Sequence, residues 1–190
     1  RISNGNQLWT EALSRSSRTS ALSEIRDIPG RPVIYQGDVF AVSHSGVFAA
    51  TDLRTGTNRW SLPVTGVTTP WGAGDGVYVV SRAGEVMCVS RETGKVYWVR
   101  DLNEGVKTEN TGGFLGFRKA QKGRPLWSSP LLASNKLILT SSTGRLVALD
   151  AKTGAVQQSI SLGASATIGP IAANGTVYVV TDEAQLIALR

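Results

Sequence analysis

Few side chains in this sequence could serve as nucleophiles or metal ligands: there is one cysteine, Cys88, and one histidine, His44. A cysteine nucleophile needs a base beside it, and protein metal sites combine several His, Cys or carboxylate ligands. The sequence contains no Gly-x-Ser-x-Gly, no His-Glu-x-x-His and no pair of carboxylates at a motif spacing. It therefore predicts no catalytic residue, no metal site and no cofactor, and so a protein that is not an enzyme.

Three smaller features also have structural explanations. Gly72-Ala73-Gly74-Asp75-Gly76 resembles a phosphate-binding loop, but no helix start follows it, so a hairpin turn is expected. Cys88 is expected to be a buried small residue within a strand, and His44 to be exposed in a turn, with a surface contact as the alternative. The carboxylates are expected mostly in turns, whose backbone they favour, as at Asp38, Asp52, Asp75, Asp150 and Asp182.

Composition limits the class of protein. The chain has 190 residues, a net charge of +6 and 21 glycines, about half as many again as the usual share of about 7% gives. Glycine excess without Gly-X-Y periodicity, together with many Val, Leu and Thr, indicates short strands joined by many turns. There is no basic stripe with stacking aromatics, so nucleic acid is not an expected partner. We also expect no transmembrane helix and no signal peptide within the chain.

An internal repeat provides the elements that these residues occupy. Pro32, Pro70, Pro130 and Pro170 each begin a similar segment, in which an apolar β-former follows seven residues later. A glycine stands fourteen residues after the proline in three repeats, as Gly46, Gly84 and Gly144, and Ala184 replaces it in the fourth. Thr-Gly then precedes a tryptophan in the first two repeats, and the same Gly-to-Trp spacing occurs at Gly5 and Trp9.

Each repeat predicts four short antiparallel strands, A to D, joined by tight turns. That spacing is typical of a β-propeller blade. The fold class is therefore all-β, with four blades' worth of strands in the chain, or half of an eight-bladed ring. The expected divisions of the single propeller region 1–190 are a lone strand D (1–13), an inter-blade connection (14–28), blades at 29–65 and 66–102, an insertion (103–126), a blade at 127–163 and strands A–C of a last blade (164–190).

Trp9, Trp60 and Trp98 recur at one position of the repeat and are expected to fill the space between neighbouring blades. Gln158 takes this position in the third repeat, so that contact must be built differently. The chain begins with a strand D and ends with strands A–C. Unpaired strand edges attract other strands. A homodimer of half-propellers, in which each copy completes the other's last blade, is therefore expected, with a self-closed four-bladed ring as the alternative.

Two stretches break the repeat, and such departures often carry function. The first, residues 14–28, fills a D-to-A connection and could form a helical turn over residues 21–25. The second, the insertion, combines basic residues with apolar side chains, as in Phe114, Phe117, Arg118 and Lys119. Apolar side chains among charges suit a partner-binding loop, and a solvated loop is the alternative.

The unit from Val39 to Trp60, with its Asp-Leu-Arg-Thr-Gly-x-x-x-Trp ending, looks like a PQQ-like propeller repeat. The segment Thr19–Ile28 that precedes it resembles the BamB family of outer-membrane assembly lipoproteins. This resemblance covers nearly the whole chain, as the C-terminal half of that family's eight-bladed propeller.

The resemblance implies a non-enzymatic scaffold in the periplasm, lipid-anchored to the outer membrane. It also implies binding to the POTRA domains of the barrel-inserting protein BamA, and help with the insertion of outer-membrane proteins. The residues that match the family's binding connection are Leu22, Glu24, Arg26 and Asp27. The family's lipid-attachment cysteine and first half-propeller are not in this sequence, and the resemblance supplies no counterpart for the insertion.

The alternative function is that of a PQQ-dependent dehydrogenase-like propeller, which shares the repeat. That class uses a pair of adjacent cysteines and a Ca²⁺ site, and one cysteine cannot form the pair.

Overall fold

The computed structural model describes residues 4–13, 30–104 and 124–190. Within these ranges the chain forms fifteen β-strands, so the expectation of an all-β protein is confirmed. The described ranges hold no helix that is long and apolar enough to cross a membrane. The strands are β1 Val33–Tyr35, β2 Asp38–Val42, β3 Phe48–Asp52, β4 Asn58–Leu62, β5 Trp71–Ala73, β6 Gly76–Val80, β7 Glu85–Ser90, β8 Val96–Asp101, β9 Leu131–Ala133, β10 Lys136–Thr140, β11 Arg145–Asp150, β12 Val156–Ser161, β13 Ile171–Ala173, β14 Thr176–Val180 and β15 Leu186–Leu189.

The strands form four antiparallel sheets, each made only of chain neighbours in sequence order. We call them blade 1 (β1–β4), blade 2 (β5–β8), blade 3 (β9–β12) and blade 4 (β13–β15). The first strands of consecutive blades lie beside one another. The repeat keeps its register, because Ala50, Cys88, Ala148 and Ala188 occupy the same row of the third strand.

Residues 7–13, expected as a lone strand D, form no strand. No described strand lies beside them to exchange backbone hydrogen bonds, and β15 is the last strand of its sheet. They lie against blade 1 instead: Asn58 Nδ2 donates to Glu11 Oε1 over 2.6 Å, and Ser45 Oγ donates to the Leu13 carbonyl over 3.2 Å. The possible helical turn at residues 21–25 falls outside the described residues.

Each blade has a leading face toward the next blade and a trailing face toward the one before. In blade 1 the leading face carries Phe40, Val42 and Phe48, which pack with the trailing-face residues Val77 and Val79 of blade 2. The same pattern joins blades 2 and 3, and blades 3 and 4. We call these contacts seam 1, seam 2 and seam 3. Successive side chains of a strand point to opposite faces, and blades 2 and 3 carry apolar side chains on both faces because each is covered by a neighbour on both sides.

Tryptophan closes seams 1 and 2 in the same way. Trp60 Nε1 donates to the Arg91 carbonyl over 2.8 Å, and Trp98 Nε1 donates to the Ala151 carbonyl over 3.2 Å. The ring covers the Thr-Gly turn of the next blade, so that a Cβ at Gly154 would lie 2.5 Å from Trp98 Cε3. Only glycine therefore fits beneath each indole.

Trp9 makes the equivalent contact with blade 1. Its Nε1 donates to the Leu53 carbonyl over 2.9 Å, and a Cβ at Gly56 would lie 2.6 Å from its Cγ. Residues 4–13 thus place their tryptophan as β4 and β8 place theirs, although they form no strand. At seam 3 the corresponding residue is Gln158, which is exposed.

Candidate protein-binding face

Sheet topology assigns the turns and connections of the described blades to two opposite faces. Each blade is a meander, so its second turn (β2–β3, β6–β7, β10–β11 and β14–β15) and its connection to the next blade lie at the same end of the sheet. The first and third turns lie at the opposite end. We call the former end the connection face and the latter the hairpin face. The described residues at the ends of both stretches that break the repeat, 14–28 and 103–126, lie at the connection face.

The turns of the connection face share one geometry. A hydroxyl residue begins each turn and accepts a hydrogen bond from the backbone N–H four residues later, over 3.1 Å in every case. These residues are Ser43, Ser81, Ser141 and Thr181. Gly46, Gly84 and Gly144 follow three residues later with φ of +95°, +88° and +73°. The hydroxyl residue recurs in the sequence three residues before each of these glycines, so the repeat itself carries this signal.

Each turn is also tied to the connection beside it. The N–H of Arg82 donates to the Thr65 carbonyl over 2.8 Å, that of Ser142 to the Leu126 carbonyl over 2.9 Å, and that of Asp182 to the Ser165 carbonyl over 2.7 Å. In addition, the Asp182 carboxylate accepts from the hydroxyls of Ser165 and Thr167, which lower its pKa. Connections on this face are therefore held by backbone hydrogen bonds and not by side chains alone.

The insertion enters and leaves the fold at a common anchor. Asn103 Nδ2 donates to the Ala83 carbonyl over 2.8 Å, and Asn103 Oδ1 accepts from Trp127 Nε1 over 2.9 Å. Leu102 and Trp127 are buried in seam 2. The guanidinium of Arg145 lies 5.8 Å from the Trp127 ring centroid. Both ends of the insertion are thus fixed beside the Ser81–Gly84 turn. Phe114, Phe117, Arg118 and Lys119 themselves lie outside the described residues.

The first connection has a similar pair of anchors. At one end the Leu13 carbonyl accepts from Ser45 in the turn of blade 1. At the other end Gly30 is buried so closely that a Cβ would lie 2.4 Å from the Thr68 carbonyl oxygen. Leu22, Glu24, Arg26 and Asp27 fall between these anchors and lie outside the described residues, so their role stays a prediction.

His44 lies in the same face and is not fully exposed as expected. It is half-buried, because its Nε2 faces the Arg82 guanidinium of the neighbouring blade. The histidine therefore contributes a contact between two adjacent turns, which its sequence position alone did not show.

Asp38 and Cys88 also carry groups that could take part in chemistry. Asp38, expected in a turn, begins β2 and is buried, where it pairs with Arg91 of blade 2 at 3.0 Å and with Arg59 at 2.5 Å. Cys88 is buried in seam 2, and burial raises its pKa to about 11, so it is a protonated thiol near neutral pH. Among the described residues, no group of three or more His, Cys, Asp or Glu is placed to hold a metal ion.

Comparison with known proteins places the chain in a family. The family model described as "Outer membrane protein assembly factor BamB" matches residues 1–100 and 107–190. The BamB protein of Escherichia coli K12 is 24% identical over 178 residues, which cover 92% of this chain and 40% of that protein. The chain therefore spans less than half the length of this relative.

Solved structures show the same fold. The crystal structure of BamB from Moraxella catarrhalis superposes with a TM-score of 0.76 at 17% identity, over 95% of this chain and 48% of that one. A quinohemoprotein alcohol dehydrogenase from Comamonas testosteroni superposes with a TM-score of 0.63 at 18% identity, over 82% of this chain and 29% of that one. These likenesses show the β-propeller fold, and the family model identifies its repeats as PQQ-like. The family resemblance inferred from the sequence is confirmed by the family model, and the chain belongs to the family of the outer membrane protein assembly factor BamB.

Proposed function

We propose that this chain is a non-enzymatic scaffold of the outer-membrane β-barrel assembly machinery and that it binds its partner through the connection face. The observation that carries the proposal is that both stretches outside the repeat start and end at fixed anchors on this one face. Membership of the BamB family supplies the role in assembly. The compartment that follows is the periplasm, with attachment to the outer membrane by a lipid anchor in the full-length protein.

The partner we propose is a BamA-like barrel-assembly protein, contacted at its POTRA domains. The first connection supplies Leu22, Glu24, Arg26 and Asp27, and the insertion supplies Phe114, Phe117, Arg118 and Lys119. A contact of this kind joins apolar side chains with charges that orient the partner. The anchors at Ser45, Thr68, Asn103 and Trp127 restrict the ends of both segments before binding. Such restriction lowers the entropy that ordering a loop costs on association.

A binding experiment with purified POTRA domains tests the proposal. The double variants Leu22→Ala/Asp27→Ala and Phe114→Ala/Phe117→Ala are each expected to weaken binding at least tenfold, as loss of interface anchors does. The matched control, Arg54→Ala/Lys152→Ala, removes two exposed charges on the hairpin face and should leave affinity unchanged. Equal affinity of all variants would show that the POTRA domains do not bind through the connection face. Quinone absorbance in the full-length protein would instead favour the dehydrogenase-like alternative.

A second proposal concerns the ends of the blade series. We infer that the four blades are half of an eight-bladed ring and that two copies of this chain complete it. Ile171 and Leu186, on the leading face of blade 4, are 65% and 68% exposed, whereas their counterparts Leu131 and Leu146 in blade 3 are 5% and 6% exposed. Residues 4–13, in turn, hold a tryptophan in the strand D position. A second copy would add these residues beside β15.

Light scattering tests this second proposal directly. The expected mass is twice the 20.2 kDa of one chain, and Leu186→Glu is expected to return it to one chain, because a buried charge at the interface is costly. Lys152→Glu on the hairpin face is the control. A mass of 20.2 kDa for the unmodified protein contradicts the dimer while leaving the binding face untouched.

A further inference from the structure

The connection face holds a pocket of about 190 Å³ between the connections that lead into blades 2 and 3. Two of its lining residues, Val67 and Leu126, are apolar and are 38% and 53% exposed, whereas Trp127 is 6% exposed and forms a buried wall. Arg82, in the β6–β7 turn, also lines the pocket. Sites that enclose a whole small molecule usually measure about 300–1,000 Å³. This pocket therefore has room for a single side chain.

The walls of the pocket are fixed by the fold. The Arg82 N–H donates to the connection that precedes blade 2, and the Leu126 carbonyl accepts from the second turn of blade 3. Trp127 donates to Asn103 and lies against the Arg145 guanidinium. A pocket that is formed before binding loses little conformational entropy when a partner enters it.

The hydroxyl groups of the pocket are already used within the protein. Four of them donate to other protein atoms, namely Thr68 to the Val80 carbonyl, Ser81 to the Glu85 carboxylate, Ser128 to the Ser129 carbonyl and Thr167 to the Asp182 carboxylate. The fifth, Ser129 Oγ, accepts from the Thr69 N–H over 2.9 Å. An anion in the pocket would need several of these hydroxyls as donors. The occupied hydroxyls therefore favour an apolar side chain.

Arg82 gives the edge of the pocket a positive charge. Its guanidinium faces His44 Nε2, and no carboxylate of residues 4–13, 30–104 or 124–190 forms an ion pair with it. The corresponding residues of blades 1, 3 and 4 are His44, Ser142 and Asp182, so blade 2 has the one lysine or arginine at this turn position. A cation beside an apolar pocket is complementary to an acidic residue beside an apolar one.

We propose that this pocket receives one apolar side chain of a POTRA domain and that Arg82 pairs with an acidic residue next to that side chain. The inference rests on the function proposed above, because it states which chemistry of the partner the connection face recognises. Thr68 and Trp127, which lie at the anchors of the two partner-binding segments, both line the pocket. The pocket is therefore continuous with the proposed contact, but Val67, Arg82 and Leu126 are additional to its residues.

Substitution of Val67 tests the apolar part of the site. Val67→Glu is expected to weaken the binding of purified POTRA domains about tenfold or more, because it brings a carboxylate to an apolar pocket. Val67→Ser, a milder change at the same exposed position, should weaken it about threefold. The control Val96→Glu changes a valine that is 41% exposed at the hairpin-face end of β8, and should leave the affinity unchanged. Undiminished affinity of both Val67 variants overturns the pocket.

Substitution of Arg82 tests the charged part of the site. Arg82→Gln is expected to weaken binding about threefold at low salt and to make the affinity less dependent on salt concentration, because one ion pair is lost. Arg82→Lys should retain most of the affinity and the salt dependence. Lys95→Gln removes an exposed cation on the hairpin face and is the control. Unchanged salt dependence in Arg82→Gln overturns the acidic contact.

A crosslink identifies what occupies the pocket. With the photo-crosslinker p-benzoylphenylalanine in place of Val67, we expect a crosslink to a POTRA peptide that contains adjacent apolar and acidic residues, and mass spectrometry identifies that peptide. A crosslink only to this chain's own insertion would show that the insertion fills the pocket, and would overturn the inference.

The same measurements separate this inference from the proposed function. If Leu22→Ala/Asp27→Ala weakens binding and the Val67 and Arg82 variants do not, the pocket is refuted and the function stands. If POTRA domains do not bind the unmodified protein, both are refuted.

Discussion

Seams 2 and 3 join sheets of the same strand order, yet they are closed by different means. In seam 2 the Trp98 indole covers the Thr-Gly turn of blade 3 and donates a hydrogen bond to it, whereas in seam 3 the exposed Gln158 takes the place of the tryptophan. The aliphatic rows behind these positions are buried in both seams. The difference teaches that aliphatic packing alone suffices to place two blades side by side, and that the indole adds a hydrogen bond to the next blade.

Removing the indole of seam 2 should have the largest effect. Trp98→Ala is expected to lower the free energy of unfolding by about 3 kcal/mol, the lower end of the cost of truncating an aromatic core residue, because the indole is half-buried. Urea denaturation measures this change. Tyr97→Ala removes an exposed ring from the same strand and should cost less than about 1 kcal/mol. Similar losses for both variants would mean that the indole does not close the seam.

Removal of the ion pair of seam 1 should have the next largest effect on stability. Asp38→Ala leaves Arg91, which is largely buried, without its partner across the seam, and we expect a loss of about 3 kcal/mol. The double variant Asp38→Ala/Arg91→Met removes the unpaired charge and should recover part of the loss. A full loss in the double variant would assign the effect to Asp38 packing and not to its pairing.

The smallest effect is expected at the turns of the connection face. Ala184 adopts φ of +59° where the other three blades have glycine. Ala184→Gly should therefore stabilise by about 0.5–1 kcal/mol, and Gly46→Ala should destabilise by at least as much, since an L residue is strained there. Differential scanning calorimetry can compare the two shifts in Tm. A higher Tm for Ala184→Gly together with a lower Tm for Gly46→Ala supports the turn geometry that the four blades share. Shifts in Tm of the same sign for both variants contradict it.

Local signals made most of the fold predictable. Glycine and asparagine residues mark the turns of the hairpins. The alternation of apolar residues between these turns predicts which residues of neighbouring strands lie in the same row, including the row of Cys88. Residues 7–13 form no strand within the single chain, because a strand exists only with a hydrogen-bonded neighbour, and their expected pairing with the last blade of another copy stays a prediction. The two partner-binding segments stay predictions, because nothing in the described residues tests them.

Nonlocal contacts explain what the sequence did not reveal. The burial of Asp38 depends on Arg91, which arrives from the next blade, and the partial burial of His44 depends on Arg82 in the same way. The hydroxyl residue three positions before each turn glycine is different, because it is periodic in the sequence. Aligning the repeats column by column would have identified it, together with the change from Asp38 to Lys136.

Because every sheet is a meander of chain neighbours, the molecule also has a natural order of formation. Contacts within a blade are local in sequence, and local contacts form rapidly. Each blade can therefore fold as soon as its own segment of chain is free, beginning at the N-terminal end during synthesis. Until the following blade arrives, its leading face remains open to water and to other chains. The vulnerable species during biogenesis is thus a growing stack with one uncovered sheet at its end.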